Sequence, residues 1–123
     1  MEIFPRRMQR VIEPAREHAL PLDIHAVGKL APALPILYDL GFSVIHPVDP
    51  GCNDIFALRE LWRGRLAFVG NFPAVALAGW SKEEIETAVR DHCVRLAPGG
   101  GYAIGSSGGI SEGVLAEKFL AMT

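Results

Sequence analysis

Residues 96–110, LAPGGGYAIGSSGGI, constrain the fold of this chain more than any other stretch. They read as a turn, one short strand and a second glycine-rich turn that opens a helix. Proline lacks an amide hydrogen and glycine alone takes positive φ cheaply, so Pro98, Gly99, Gly100 and Gly101 stop a helix and turn the backbone. Tyr102, Ala103 and Ile104 then make a strand. Gly105, Ser106, Ser107, Gly108 and Gly109 follow at its C-terminal end, where free amides and the start of a helix would hold an anion.

The same plan recurs upstream. Met8, Val11, Ile12, Ala15 and Ala19 fall at helical spacing, which predicts an amphipathic helix over 6–18 that Pro14 kinks or shortens. Strand one is expected over 20–26, with Leu22, Ile24 and Ala26 on one face and Asp23 and His25 on the other. A helix over about 31–40 turns Leu34, Leu37 and Tyr38 inward and ends at Gly41. Strand two occupies 42–47, followed by a turn at Asp49, Pro50 and Gly51. Asn53 or Asp54 caps the next helix, whose inward side carries Ile55, Leu58, Leu61 and Trp62, and Gly64 stops it. Strand three is expected over 66–70, and residues 71–77 read as an apolar loop whose only polar side chain is Asn71. Ser81 and Glu84 form a capping box ahead of the inward stripe Ile85, Ala88, Val89, Cys93 and Leu96. Ser111 is expected to cap a last helix with Val114, Leu115, Phe119 and Leu120.

This order, one helix followed by four βα units with short apolar strands, predicts an α/β domain built on a parallel sheet. Four units are half of a (βα)8 TIM barrel, and a half-barrel leaves two bare sheet edges and an uncovered face. A homodimer that closes an eight-stranded barrel would cover them; a flat flavodoxin-like sheet is the alternative.

At 123 residues, half of them hydrophobic, the chain is one domain's worth. A net charge of −2, from 12 basic and 14 acidic residues spread along it, carries no footprint for nucleic acid or an acidic membrane. Cys52 and Cys93 lie far apart and suit a reducing compartment. No run approaches a membrane span and the N-terminus has no apolar signal core, so the expected location is the cytoplasm.

In a barrel, chemistry sits where strands end, and the polar residues there are His25, His46, Asn71, Ser106 and Ser107. Strand ends are also polar because they meet water, and only the set as a whole favours a site. Zinc ligation by His25, His46 and Cys52 has the right donor types but matches no zinc spacing. Residues 105–109 also fit the G-x-S-x-G pattern of a nucleophile elbow, yet no histidine follows residue 92 to serve such a hydrolase. His18 and His92 fall on expected helices, as surface or packing residues.

Three segments, Asn71-Phe72-Pro73, residues 81–85 and residues 96–102, resemble the C-terminal half of the uroporphyrinogen decarboxylase family. Residues 21–28 resemble that family's histidine-bearing fifth strand and residues 41–48 its sixth, where asparagine often replaces His46. The resemblance implies strands five to eight of a (βα)8 barrel and, as activity, decarboxylation of tetrapyrrole acetate groups without a cofactor. The acidic, arginine and tyrosine residues that perform it belong to the half not represented here. In the related methyltransferases a His-x-Cys and a later cysteine bind zinc; here His25 remains while Val27 and Gly108 stand near the cysteine positions. Gly108 also stands where the decarboxylases carry a histidine. The implied substrate-binding set is His25, His46, Asn71, Ser106, Ser107 and Gly108, with no metal. The implied partner is a second copy, or a chain supplying strands one to four. The alternatives are a non-catalytic half-barrel binding a small anion or a partner protein, or a degenerate relative of the methyltransferases.

Overall fold

The computed structural model describes residues 3–123. It is an α/β structure: α1 (Ile3–Glu17), β1 (Asp23–His25), α2 (Leu34–Leu40), β2 (Val44–His46), α3 (Ile55–Trp62), β3 (Ala67–Phe72), α4 (Ala74–Gly79), α5 (Lys82–Leu96), β4 (Tyr102–Ser106) and α6 (Ala116–Leu120). The four strands form one parallel sheet in the order β1-β2-β3-β4. A flavodoxin-like sheet reverses its strand order after the first crossover; this one never does, which removes that alternative.

Register decides which side chains reach the helices. Ile24, Ile45, Phe68 and Tyr102 stand in one row across the sheet. That row packs against Ile12 of α1, Leu34 of α2, Leu58 of α3 and Leu96 of α5 in one hydrophobic cluster, in which Ile45 and Phe68 are fully buried. A second cluster joins Phe72 to Ala76 and Leu77 of α4, Ile85 of α5 and Met122. Side chains alternate along a strand, so the pairs Val44–Ala67 and Val69–Ala103 point to the other face. These four residues join neither cluster, and Ala103 is exposed. The helices therefore cover one face of the sheet, and a small apolar strip lies open on the other.

Local chemistry explains most element ends. Gly41 takes φ +98° beyond α2, its amide closing the helix onto Leu37 and Tyr38 carbonyls. Asp54, not Asn53, caps α3, with its carboxylate accepting from the amides of Phe56 and Ala57. The Ser81–Glu84 capping box forms as expected at the start of α5.

Several expectations are corrected. Pro14 lies inside α1, which runs on to Glu17 rather than breaking there. β3 and β4 each run two residues further than expected, to Phe72 and Ser106, because Asn71 pairs with Gly105 and Phe72 with Ser106. The expected loop over 71–77 is the end of β3 followed by α4, since burying Phe72, Ala76 and Leu77 against Ile85 holds that segment in place. Leu61 and Tyr38 point outward, and Arg59 takes the inward position on α3. Ser111 caps nothing: α6 starts at Ala116 with no side-chain cap. Among the described residues, no helix is long and apolar enough to cross a membrane.

Candidate functional site

His25 and His46 are the last residues of β1 and β2 and are register partners, which places both imidazoles on the uncovered face of the sheet. Their ring centroids are 5.0 Å apart with the planes at 81°, an edge-to-face contact. His25 is exposed and His46 half-buried. Across the open end, Ser106 closes β4 and Ser107 begins the loop after it, the Ser107 amide donating to the Phe72 carbonyl at 2.7 Å.

Both serine hydroxyls accept from backbone. Ser107 Oγ receives the Ala74 amide at the first turn of α4 at 3.3 Å, and Ser106 Oγ receives the Gly108 amide at 3.3 Å. With an acceptor role already used, each hydroxyl hydrogen remains available to a ligand. His25, His46, Ser106, Ser107 and Gly108 line one open cavity of about 350 Å³ with Val27, Pro47 and Gly109. Two imidazoles and two hydroxyl donors around such a space suit a small anionic or carboxylate group.

Asn71 is not part of that cavity. It is buried, takes φ +68°, and donates through Nδ2 to the Val48 carbonyl at 2.9 Å; its neighbours are Asn53, Trp80 and His92 in a separate cleft. Val27, Pro47 and Gly109 also line the cavity without having been in the expected binding set; each lies within two residues of a member of that set, so the signal was position just after a strand end.

The glycine-rich loop differs from both of its readings. Ser106 lies in the strand and the next helix starts at Ala116, so no strand–turn–helix elbow forms and no helix start is available to hold an anion. Cys52 sits in the turn after β2, with Sγ 3.4 Å from Asn53 Nδ2, and does not line the cavity beside His25 and His46. Among the described residues, no group of three histidine, cysteine or acidic side chains is placed to hold a metal ion. At Gly108 a Cβ would sit 3.5 Å from that of Ala74, an ordinary contact, so the backbone there admits a side chain. His92 packs as expected, its ring beside Phe56 and Phe72 and its Nδ1 2.9 Å from the Ala88 carbonyl.

The molecule is thus an α/β protein of four βα units with a polar cavity at the C-terminal ends of its parallel strands. Compared with known proteins, the chain matches no family model and no curated protein.

Proposed function

We propose that this chain is a uroporphyrinogen decarboxylase-like half-barrel. On this reading it does not decarboxylate by itself, and it binds a small anionic group at the His25–His46–Ser106–Ser107–Gly108 cavity once a second half covers the sheet. The observation that carries the reading is the unreversed order β1-β2-β3-β4 with the core on one face only. A sequentially wound parallel sheet of this kind is what half of a (βα)8 barrel looks like, and its ligands belong at the C-terminal strand ends. The bare strip of Val44, Ala67, Val69 and Ala103 and the free edges of β1 and β4 support completion by another half. A second copy of the chain is the simplest occupant, because β4 of each copy can pair with β1 of the other around a twofold axis.

Light scattering across a range of protein concentrations tests closure. A dimer is expected; a monomer at every concentration would overturn self-closure and leave a chain carrying strands one to four as the completing half. Incubation of the pure chain with uroporphyrinogen tests the activity, with no coproporphyrinogen expected. Its formation would overturn the non-catalytic reading.

A further inference from the structure

At the opposite end of the sheet from the histidines, the turn between α3 and β3 meets the glycine turn before β4 around a buried arginine. Arg59 projects from the inward side of α3 and is 2% exposed. Its Nε donates to the Leu96 carbonyl at the end of α5 at 3.2 Å, and its Nη2 donates to the Gly100 carbonyl. The first bond satisfies a carbonyl that the helix end leaves unpaired and places a cation at the negative end of the α5 dipole, and the second ties the same side chain to the glycine turn. They account for two of the three guanidinium nitrogens. Nη1 is buried and has no hydrogen-bond partner.

The charge is unmatched as well. Guanidinium groups stay charged throughout the physiological range. Among the described residues the ion pairs are Arg63–Glu60, Lys82–Glu86 and Arg95–Asp91, none of which involves Arg59. A buried cation without a counter-charge is costly, and helix-end carbonyls supply only a partial one.

The surroundings are built to leave space beside this cation. Gly99, Gly100 and Gly101 all take positive φ, and a Cβ on Gly101 would sit 3.4 Å from Arg59 Nη2 and 3.5 Å from Nη1. Arg59, Gly64, Arg65 and the three glycines border a cavity of about 220 Å³. Arg65, held over the Trp62 ring and bonded to the Leu61 carbonyl, adds a second cation to its rim. Arg63 is also nearby, with Nη1 on the Pro98 carbonyl. Three arginines thus converge on one turn that brings a single carboxylate, Glu60, in a chain whose net charge is negative.

We propose that this cavity binds a small oxyanion of the phosphate class, with the Arg65 guanidinium as its donor at the rim and the unmatched charge of Arg59 attracting it from the cavity wall. The site is separate from the one at the strand ends and does not depend on how that end is read. Phosphate suits it because guanidinium nitrogens donate strongly to phosphate oxygens and the cavity exceeds the volume of one such ion.

The test is titration of the ¹⁵N-labelled full chain with inorganic phosphate at constant ionic strength, with chloride as the control. Saturable shifts are expected at the Gly99, Gly100 and Gly101 amides and at Arg59 Nε, and none of these should saturate with chloride. Arg65→Gln, at an exposed position that the core does not need, should weaken binding about tenfold, as expected for one lost charge-assisted hydrogen bond. Linear shifts equal to those produced by chloride would overturn the proposal. So would unchanged affinity in Arg65→Gln, or saturable shifts confined to the Ser106–Ser107 end of the sheet.

Discussion

Asn71 donates through Nδ2 to the carbonyl of Val48 at 2.9 Å, and this bond ties the end of β3 to the loop that follows β2. The bond fixes the chain just beyond His46 and Pro47, which line the cavity that Asn71 itself does not enter. Asn71→Ala should destabilise the fold by about 2–4 kcal/mol, combining a buried unpaired carbonyl with a residue that tolerates positive φ poorly. Asn71→Gly removes the bond without the backbone strain and should cost less. Urea denaturation of the two variants separates the contributions; equal losses would show that the strain plays no part.

Asn53 performs a related task between β1 and β2. Its Oδ1 accepts from the Leu30 amide at 2.9 Å, while Nδ2 donates to the carbonyls of Gly28 at 2.8 Å and Asp49 at 3.1 Å. Asn53→Ala leaves these loop groups unpaired and should cost about 2–4 kcal/mol, measurable as a lower urea midpoint with an unchanged slope. Asn53→Asp keeps the acceptor but turns a buried carboxylate oxygen toward the Gly28 and Asp49 carbonyls, so it should cost at least as much as Asn53→Ala.

Glu84 contributes stability that depends on pH. The Ser81 amide donates to its carboxylate at 2.7 Å, and the Ser81 backbone and then its side chain hold the Glu84 carboxyl below its ordinary value of 4.5. A lowered folded pKa means that the unfolded chain binds the proton more readily. The stabilisation is therefore complete above about pH 4.5 and disappears as pH falls through the lower folded value. Glu84→Gln should flatten this part of the stability profile between pH 6 and 3 on thermal denaturation, roughly a unit either side of the carboxylate range. A profile unchanged by the substitution would remove Glu84 as the source.

Tyr102 behaves in the opposite sense. Its hydroxyl donates to the Gly70 carbonyl at 3.0 Å, and burial, with a smaller contribution from Cys93, pushes the phenol above its ordinary value of 10.0. The folded state holds this proton more tightly, so its stabilisation is present below pH 10 and is lost as pH rises beyond it. Alkaline titration at the phenolate absorption band should show Tyr102 ionising together with unfolding. Ionisation of both tyrosines ahead of any change in circular dichroism would contradict this.

Val69 lies on the uncovered face of the sheet. Val69→Lys should leave the helix-side core intact, with stability within about 1 kcal/mol, since surface substitutions away from packed features cost little. It should abolish any self-association seen by light scattering. Association that survives the substitution would place the contact elsewhere.

Much of the architecture was legible from local chemistry. Gly41, Ser81 and Glu84 mark helix ends by interactions confined to one turn of chain, and the alternation of helical and strand patterns set the α/β class and the parallel sheet. That His25, His46, Ser106 and Ser107 gather at one end of the sheet was legible because parallel strands bring their C-terminal ends together, whereas Gly108 was drawn in only by the family resemblance. What lay beyond local reading depended on partners distant in sequence. Arg59 was no part of the expected inward side of α3; the Leu96 and Gly100 carbonyls hold it there, and Leu61, expected in the core, points outward. Asn71 reads as a site residue until Val48 claims its amide.

The sequence by itself determined where most helices and strands lie and which polar residues end the strands, because capping, turn formation and apolar periodicity are short-range effects. Only the tertiary structure decided how far β3 and β4 extend, that 74–79 is helical, and that the glycine loop opens no helix. Pairing across the sheet and burial against Ile85 outweigh what those segments favour alone. It also decided which face of the sheet is covered, since that follows from strand order and register, which join residues dozens of positions apart.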